Sequence, residues 1–299
     1  MSRAAAPQIL CIGSVLWDVI GRSASHMLQG ADVPGRITRL PGGVAMNIAI
    51  ALARSGLSPA LLSAVGRDAD GNELIAACAG LGLVTDHIYR PDDLPTDRYM
   101  AIEAANGLIA AIADAHSLEA AGEKILRPLI HGPLGRPEAP YRGVIALDGN
   151  LTQALLGSIA TGRAFAAADL RVAPASPGKA ERLMPFLTHR RATLYVNLQE
   201  AGVLCQDEFT GSEDAARALV ERGAMRVLVT DGARPATEAD ASGTRTLTPP
   251  EVLVTRVTGA GDTFMAAHIA AEAAGCDRQT ALARALRAAA AHVSGETPL

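Results

Sequence analysis

The stretch Asn47–Gly82, "NIAIALARSGLSPALLSAVGRDADGNELIAACAGLG", decides the fold. Its opening "NIAIALARSG" has helical spacing and ends at Gly56, a helix stop signal. "PALLSAVG" is a short apolar strand, and "GNELIAACAGLG" is a second helix. Upstream, "QILCIGSVLWDVIG" (8–21) reads as a buried strand ending in a polar turn. Strand, helix, strand, helix predicts βαβ units around a parallel sheet.

The rhythm resumes later. "RGVIALDGN", "GRAFAAADL", "ATLYVNLQE" and "MRVLVTDG" are expected strands. "GNLTQALLGSIAT", "GKAERLMPFLTH" and "SEDAARALVERG" are expected helices, and two alanine-rich helices close the chain over about 262–274 and 278–293. The rhythm breaks in "TDRYMAIEAANGLIAAIAD" (96–114), where Asn106-Gly107 separates two strand-like runs. Asn-Gly favours a tight type I′ hairpin. Tyr99, Ala101 and Glu103 would share one face, and Arg98, Met100 and Ile102 the other. Such an insertion is a lid candidate, and residues 21–40, which lack a helical period, could add strands to it. The expected architecture is one doubly wound, mostly parallel α/β domain over 1–299. A small β-sheet lid comes from about 20–40 and 94–115. Ligands of such sheets bind at the carboxyl ends of the strands.

Composition narrows the function. The 299 residues are 49% hydrophobic but only 3% aromatic, so the core is aliphatic. The net charge is −4 with no basic stripe, which argues against nucleic acid. Cys11, Cys78, Cys205 and Cys276 are far apart and form no CxxC pair, as expected for a reducing cytoplasm. There is no good signal peptide and no apolar run long enough to span a membrane. The seven histidines show no metal-ligand spacing, and only His292 falls where a nucleotide could border it.

"VTRVTGAGDTFMAAHIAAEAAG" (254–275) sets Gly259, Ala260 and Gly261 directly before Asp262 at the mouth of a helix. Small residues let backbone N–H groups approach an anion, and a helix N-terminus favours negative charge. Asp262 itself would repel a phosphate. It is either a helix cap or a base for an incoming hydroxyl beside an anion hole. In "PGGVAMN", Gly42 and Gly43 precede a helix carrying Asn47, whose amide offers the donor and acceptor that sugar hydroxyls need. A glycine turn with an Asn cap is the plainer alternative. Asp18, at the end of the first strand, supplies an acceptor for vicinal diols. Asn197 and Glu200, in "VNLQE", could hold water on Mg²⁺ or simply start a helix. "VTDG" (229–232) is a strand-to-turn exit. No GxxxxGK[ST] occurs; "SPGKAE" lacks the spacing and reads as a helix start. No GxGxxG follows the first strand, which disfavours a dehydrogenase.

In this order along the chain, Asp18, Gly-Gly-x-x-x-Asn, Asn-x-x-Glu, Thr-x-Gly and Thr-Gly-Ala-Gly-Asp resemble the ribokinase-like (PfkB) family of carbohydrate and nucleoside kinases, over nearly the whole chain. The resemblance implies ATP and Mg²⁺ and a fold of an α/β sheet with a β lid. It implies Asp262 as catalytic base and the backbone of Gly259, Ala260 and Gly261 as anion hole. Asp18, Gly42, Gly43 and Asn47 would grip the ribose. Asn197 and Glu200 would act near Mg²⁺ and the phosphates, Glu200 at the metal, with Thr230 and Gly232 along the nucleotide.

Within the family, "TDRYMAIEAANGLIAAIAD", "ALDGNL", "VAPASPGKAERL" and "VTRVTGAGD" are similar to the pseudouridine kinases. That similarity implies lid contacts from Thr96, Tyr99 and Asp114, a ribose or base contact from Asn150, and phosphorylation of the nucleoside 5′-hydroxyl. It also implies a homodimer paired through the lid. The alternatives are a ribose, adenosine or sugar-acid kinase, or a nucleoside sensor without turnover. One departure stands out. Many members carry an acidic residue of a monovalent-cation (K⁺) site six positions before the catalytic Asp; here that place is Arg256, which leaves backbone carbonyls to bind the ion and could itself meet the nucleotide or face solvent.

Overall fold

The computed structural model describes residues 9–256 and 258–296. β1 (Ile9–Ile12) is an apolar run buried along its length. It stops at Gly13, where a Cβ would lie 2.2 Å from that of Asp148, so only glycine fits. The strand expected over 8–21 is therefore two strands in different sheets. β2 (Leu16–Arg22) leaves for a second sheet, joined by β3 (Arg36–Gly42). Asp18 accordingly lies inside β2, not at the end of the first strand.

α1 (Val44–Arg54) starts directly from Gly43, whose φ is 98°. β4 (Ala60–Leu62) and α2 (Ala69–Gly80) follow, with the Asp68 side chain capping α2 at Gly71 N. β5 (Arg98–Ala104) and β6 (Gly107–Asp114) form the expected hairpin. Its turn is not type I′, because Gly107 (φ 95°) has positive φ and Asn106 does not. A glycine in that position belongs to a turn with a bulge, and the register does shift between Ile102 and Glu103. The Asn106 amide instead bonds both backbone polar groups of Met27, at 3.0 Å each, and so pins the 23–35 loop to the hairpin tip.

α3 (His116–Ala121) and α4 (Arg127–Ile130) come next, then β7 (Val144–Asp148), α5 (Gln153–Thr161) and β8 (Asp169–Ala173). The strand expected in "GRAFAAADL" is confined to its end, since Arg163–Phe165 is a 3-10 turn. The helix expected in "GKAERLMPFLTH" is a 3-10 segment, Pro177–Leu183, and one α turn, α6 (Met184–Leu187), with a proline near the start of each. β9 (Ala192–Asn197), α7 (Leu198–Cys205), α8 (Ser212–Glu221) and β10 (Arg226–Asp231) complete the βαβ series. An unanticipated hairpin, β11 (Arg234–Asp240) and β12 (Gly243–Leu247), precedes the closing helices α9 (Ala260–Ala273) and α10 (Arg278–Ser294).

The large sheet has the order β12-β11-β10-β9-β8-β7-β1-β4. It is parallel from β4 to β10 and antiparallel over β11 and β12. Alternate residues feed two cores. Leu10 and Ile12 pack with Leu156 and Leu219 on one face; Ile9 and Cys11 pack with Leu52, Met265 and Leu282 on the other. Helices thus cover both faces, the doubly wound arrangement. Chain order reverses at β1, which pairs with β4 on one side and β7 on the other, and the crevice at that reversal is where such sheets bind ligands.

The small sheet has the order β3-β2-β5-β6 and begins at Leu16, earlier than expected. Its register puts Asp18, Leu40 and Tyr99 in one row on one face. Trp17, Arg39 and Arg98 share the other face and dock on α2: Trp17 Nε1 donates to Asp70 O, while Arg39 and Arg98 pair with the Asp70 carboxylate.

Candidate active site

α9 starts at Gly259, which has a left-handed φ of 83° and no side chain to cap the helix. The first-turn N–H groups therefore have no side-chain cap. Asp262 is in that turn but does not act as its cap. Its Oδ2 instead accepts from Asn47 Nδ2 at 2.9 Å. Asn47 in turn makes no cap on α1. Both plainer alternatives, an Asp cap and an Asn cap, are thus replaced by one cross-helix hydrogen bond.

Burial pushes the Asp262 carboxyl up to about 7; the Asn47 bond opposes this, and the charges of Asp148, Asp18 and Glu200 add to it. A carboxyl poised near neutrality can accept a proton and release it again. Those three acids also identify which distant elements converge here: the end of β7, the small sheet and the start of α7.

Asp18 is held by space that only glycine leaves. A Cβ on Gly42 would fall 2.1 Å from Asp18 Oδ2, and one on Gly43 would fall 2.5 Å from Ser14 O. Burial raises the Asp18 carboxyl to about 6. Tyr99 is its cross-strand neighbour, and burial first, then Asp18 and Glu103, keep that phenol protonated.

Ser14 and Asp148 are functional candidates that the sequence reading missed. They flank the chain reversal. Asp148 is fully buried and accepts from Ser14 N at 2.8 Å, Ser14 Oγ at 2.5 Å and Asn150 N at 2.7 Å. The Asn150 amide nitrogen points at Ser14 Oγ and Asp148, leaving its oxygen to accept from Lys179 Nζ at 2.6 Å. Ser14 Oγ also accepts from Val44 N, which ties the chain reversal to the first turn of α1. A carboxylate closing "ALD" at a strand end was the available signal.

Asn197 and Glu200 form a capping box at α7: Asn197 accepts from Glu200 N at 2.9 Å, and Glu200 accepts from Asn197 N at 2.8 Å. Burial raises Glu200 to about 7, against the Asn197 bond. Thr230 and Gly232 end β10 and begin its turn, beside Asp231, which pairs with Arg234. Arg256 Nε donates to His292 O at 2.7 Å, and His292 Nε2 donates to Thr258 O at 2.8 Å.

Two expected contacts are engaged elsewhere. Thr96 is buried, and its hydroxyl and N–H both donate to Asp68 at 2.5 and 2.8 Å. Asp114 is exposed and bonds His116 Nδ1 at 2.8 Å.

Comparison with known proteins places this geometry. Residues 6–297 match the pfkB family carbohydrate kinase pattern. The chain is 30% identical to a pseudouridine kinase of Escherichia coli over 263 residues, 86% of this chain and 81% of that one. Among solved structures, a carbohydrate kinase from Agrobacterium tumefaciens superposes with a TM-score of 0.76 at 27% identity, covering 94% of this chain and 89% of that one. An Arabidopsis thaliana ribokinase complexed with ribose and ATP superposes at 0.74 and 20% identity, covering 97% and 93%.

Proposed function

The chain belongs to the pfkB family of carbohydrate kinases, and on that premise we propose that it transfers the γ-phosphoryl group of ATP to the 5′-hydroxyl of pseudouridine. The chemistry is a phosphotransfer to an alcohol. The observation that supports the site is the Asp262 carboxyl, held by Asn47 beside the uncapped N-terminal turn of α9. The relative named as a pseudouridine kinase supports the substrate.

In this reading the nucleoside ribose lies between the two sheets, gripped by Asp18, the Gly42–Gly43 backbone and Asn47. The 5′-oxygen faces Asp262. As the new O–P bond forms and the β–γ bridge breaks, Asp262 takes the hydroxyl proton and ADP departs. Amides of Gly259, Ala260 and Gly261 stabilise charge on the moving group, and nearby helix ends supply donors without reorganisation. The small sheet acts as a lid that excludes water, with Tyr99 on its inner face. Asn150, fixed by Asp148, faces the same crevice. Thr230 and Gly232 run along the nucleotide.

No group of three or more His, Cys, Asp or Glu able to hold a metal occurs among the described residues. That fits a cation carried mainly by nucleotide phosphates, which needs only one or two protein carboxylates. Asn197 and Glu200 would hold Mg²⁺, which supplies neutralisation of polyphosphate charge when bound.

The outer face of the small sheet supports a homodimer. Ile37, Met100, Ile102 and Ile112 are exposed there, Ile37 at 77% and Ile112 at 69%, an apolar patch that a second copy would cover. Free cysteines at Cys11, Cys78, Cys205 and Cys276 fit the cytoplasm, and no helix among the described residues is long and apolar enough to cross a membrane.

A panel of pseudouridine, uridine, adenosine and ribose, with ADP release as readout, tests the function. Pseudouridine should be preferred. Equal use of ribose and uridine would end the narrow reading, and binding without any ADP release would make the chain a sensor.

A further inference from the structure

The segment leading into the glycine turn is fastened to the end of α10. Thr255 N and Arg256 N both donate to Val293 O, at 2.8 and 3.2 Å. Thr255 Oγ1 reaches the same carbonyl at 3.1 Å. Arg256 Nε donates to His292 O at 2.7 Å, and His292 Nε2 donates to Thr258 O at 2.8 Å. Because a carbonyl can only accept, this last bond also fixes which ring nitrogen of His292 carries the proton.

Two consequences follow. First, the carbonyl of the Thr258–Gly259 peptide is held toward His292. A trans peptide sets its N–H opposite its C=O, so the Gly259 N–H is turned away from α10. Gly259 packs against the same ring: a Cβ there would lie 3.2 Å from His292 Nε2, and its φ of 83° is one that side chains rarely adopt. Second, the last carbonyls of the 17-residue α10 are its negative end, and His292 O among them accepts a capping bond from Gly295 N at 3.2 Å. Arg256 puts a permanent positive charge and an N–H donor on one of them. An acid at this place would instead leave two negative groups facing each other, a setting that calls for a mobile cation. An arginine repels one.

We propose that Arg256 is a built-in substitute for a monovalent cation: together with His292 it fixes the Thr258–Gly259 peptide, so that phosphoryl transfer at the glycine turn proceeds without potassium. This rests on reading the Gly259–Gly261 amides as the phosphoryl cradle. Both residues are positioning residues, since they act through that peptide and not on substrate.

The test compares the full chain in KCl and in choline chloride of equal ionic strength. The wild type should show the same thermal midpoint and the same turnover in both. Arg256→Asp should gain a higher midpoint and higher turnover in KCl. Arg256→Ala should lose at least about ten-fold in kcat while acceptor KM moves by less than about two-fold. Millimolar guanidinium should restore part of that loss. His292→Gln, which keeps an N–H donor, should retain more kcat than His292→Ala. A wild type stabilised or activated by KCl overturns the proposal, and so does an Arg256→Ala variant with unchanged kcat. A wild type inactive on every alcohol would sink the phosphotransfer reading separately, while the thermal midpoints would still decide the question of the cation.

Discussion

Asn47 Nδ2 lies 2.9 Å from Asp262 Oδ2, joining residues 215 positions apart. Each residue is in the first turn or so of a helix, α1 or α9, and the two helices share the apolar core that contains Met46, Ile48, Phe264 and Met265. The carboxylate is therefore placed by rigid elements, not by a loop. Its proton affinity is a balance. Burial and neighbouring acids raise it, and the Asn47 donor lowers it.

Replacing Asp262 by Asn removes the base and keeps the shape. We expect kcat to fall by at least about 10²-fold with acceptor KM little changed. In the wild type, kcat/KM should rise with pH through about 7, the Asp262 value in the free protein. The same carboxyl affects stability. Burial raises its folded pKa from the ordinary 3.8 to about 7, so the folding penalty grows as pH climbs through that window. Asp262→Asn should therefore melt higher than wild type at pH 8, and the gain should vanish at pH 4. A variant with normal turnover would remove Asp262 from the chemistry.

Asn47→Ala deletes a hydrogen bond that favours the ionised Asp262. The midpoint of the kcat/KM profile should move above its wild-type position, so that the loss of activity is larger at pH 6 than at pH 9. A loss independent of pH would mean that Asn47 serves the sugar alone.

The βαβ rhythm was legible because apolar runs such as Ile9–Ile12 and Ala60–Leu62 are buried on both faces and need no partner to be recognised. The glycine turns were legible for the same local reason. The hairpin β11–β12 was not. Its strands carry Glu238 and Arg245 where alternation would put apolar residues, and Glu238 is fully buried only because Arg226 and Arg278 pair with it from β10 and α10. Asp148 was missed similarly: beside the local donor Asn150 N, the Ser14 N–H and hydroxyl that hold it come from 134 positions away in sequence. Long-range partners, which no local pattern records, decided both cases.

Gly42→Ala tests the sugar grip. The added methyl would overlap the Asp18 carboxylate, and a contact of 2.1 Å to Oδ2 forces that group to move. Acceptor KM should rise by about ten-fold or more, a loss of about 1.4 kcal/mol, while nucleotide affinity is kept. Unchanged acceptor KM would show that Asp18 does not hold the sugar.

The apolar outer face of the small sheet predicts its own outcome. Ile37→Lys with Ile112→Lys places charges on exposed positions, so folding should be spared. Sedimentation should show a dimer for wild type and a monomer for the double variant. A monomeric wild type would leave the patch without its proposed occupant.

Beneath α9 lies a largely buried network, with Arg171 8%, Arg226 17% and Glu272 20% exposed, that sets acid stability. Glu272 bonds Arg171 at 2.5 Å and Arg226 at 2.6 Å. His268, fully buried, bonds the Tyr195 hydroxyl at 2.9 Å. Burial drives His268 down to about 3, so it folds neutral, and stability is lost as pH falls below its ordinary value of 6.5 toward 3. Burial opposes ionisation of Glu272, but its Arg226 bond and the Arg171 charge outweigh this and lower it to about 2. That contribution is present above 4.5 and is lost as pH falls to 2. Glu272→Ala leaves two largely buried guanidiniums short of a carboxylate. Removing one member of a buried pair costs roughly 3–5 kcal/mol. Asp169 still pairs Arg171 and Glu238 still pairs Arg226, so the low end applies. Urea unfolding at pH 7 should show this loss, and the gap between variant and wild type should narrow as pH falls toward 2. A gap that stays constant across that range would mean Glu272 stabilises the helix by packing and not by charge.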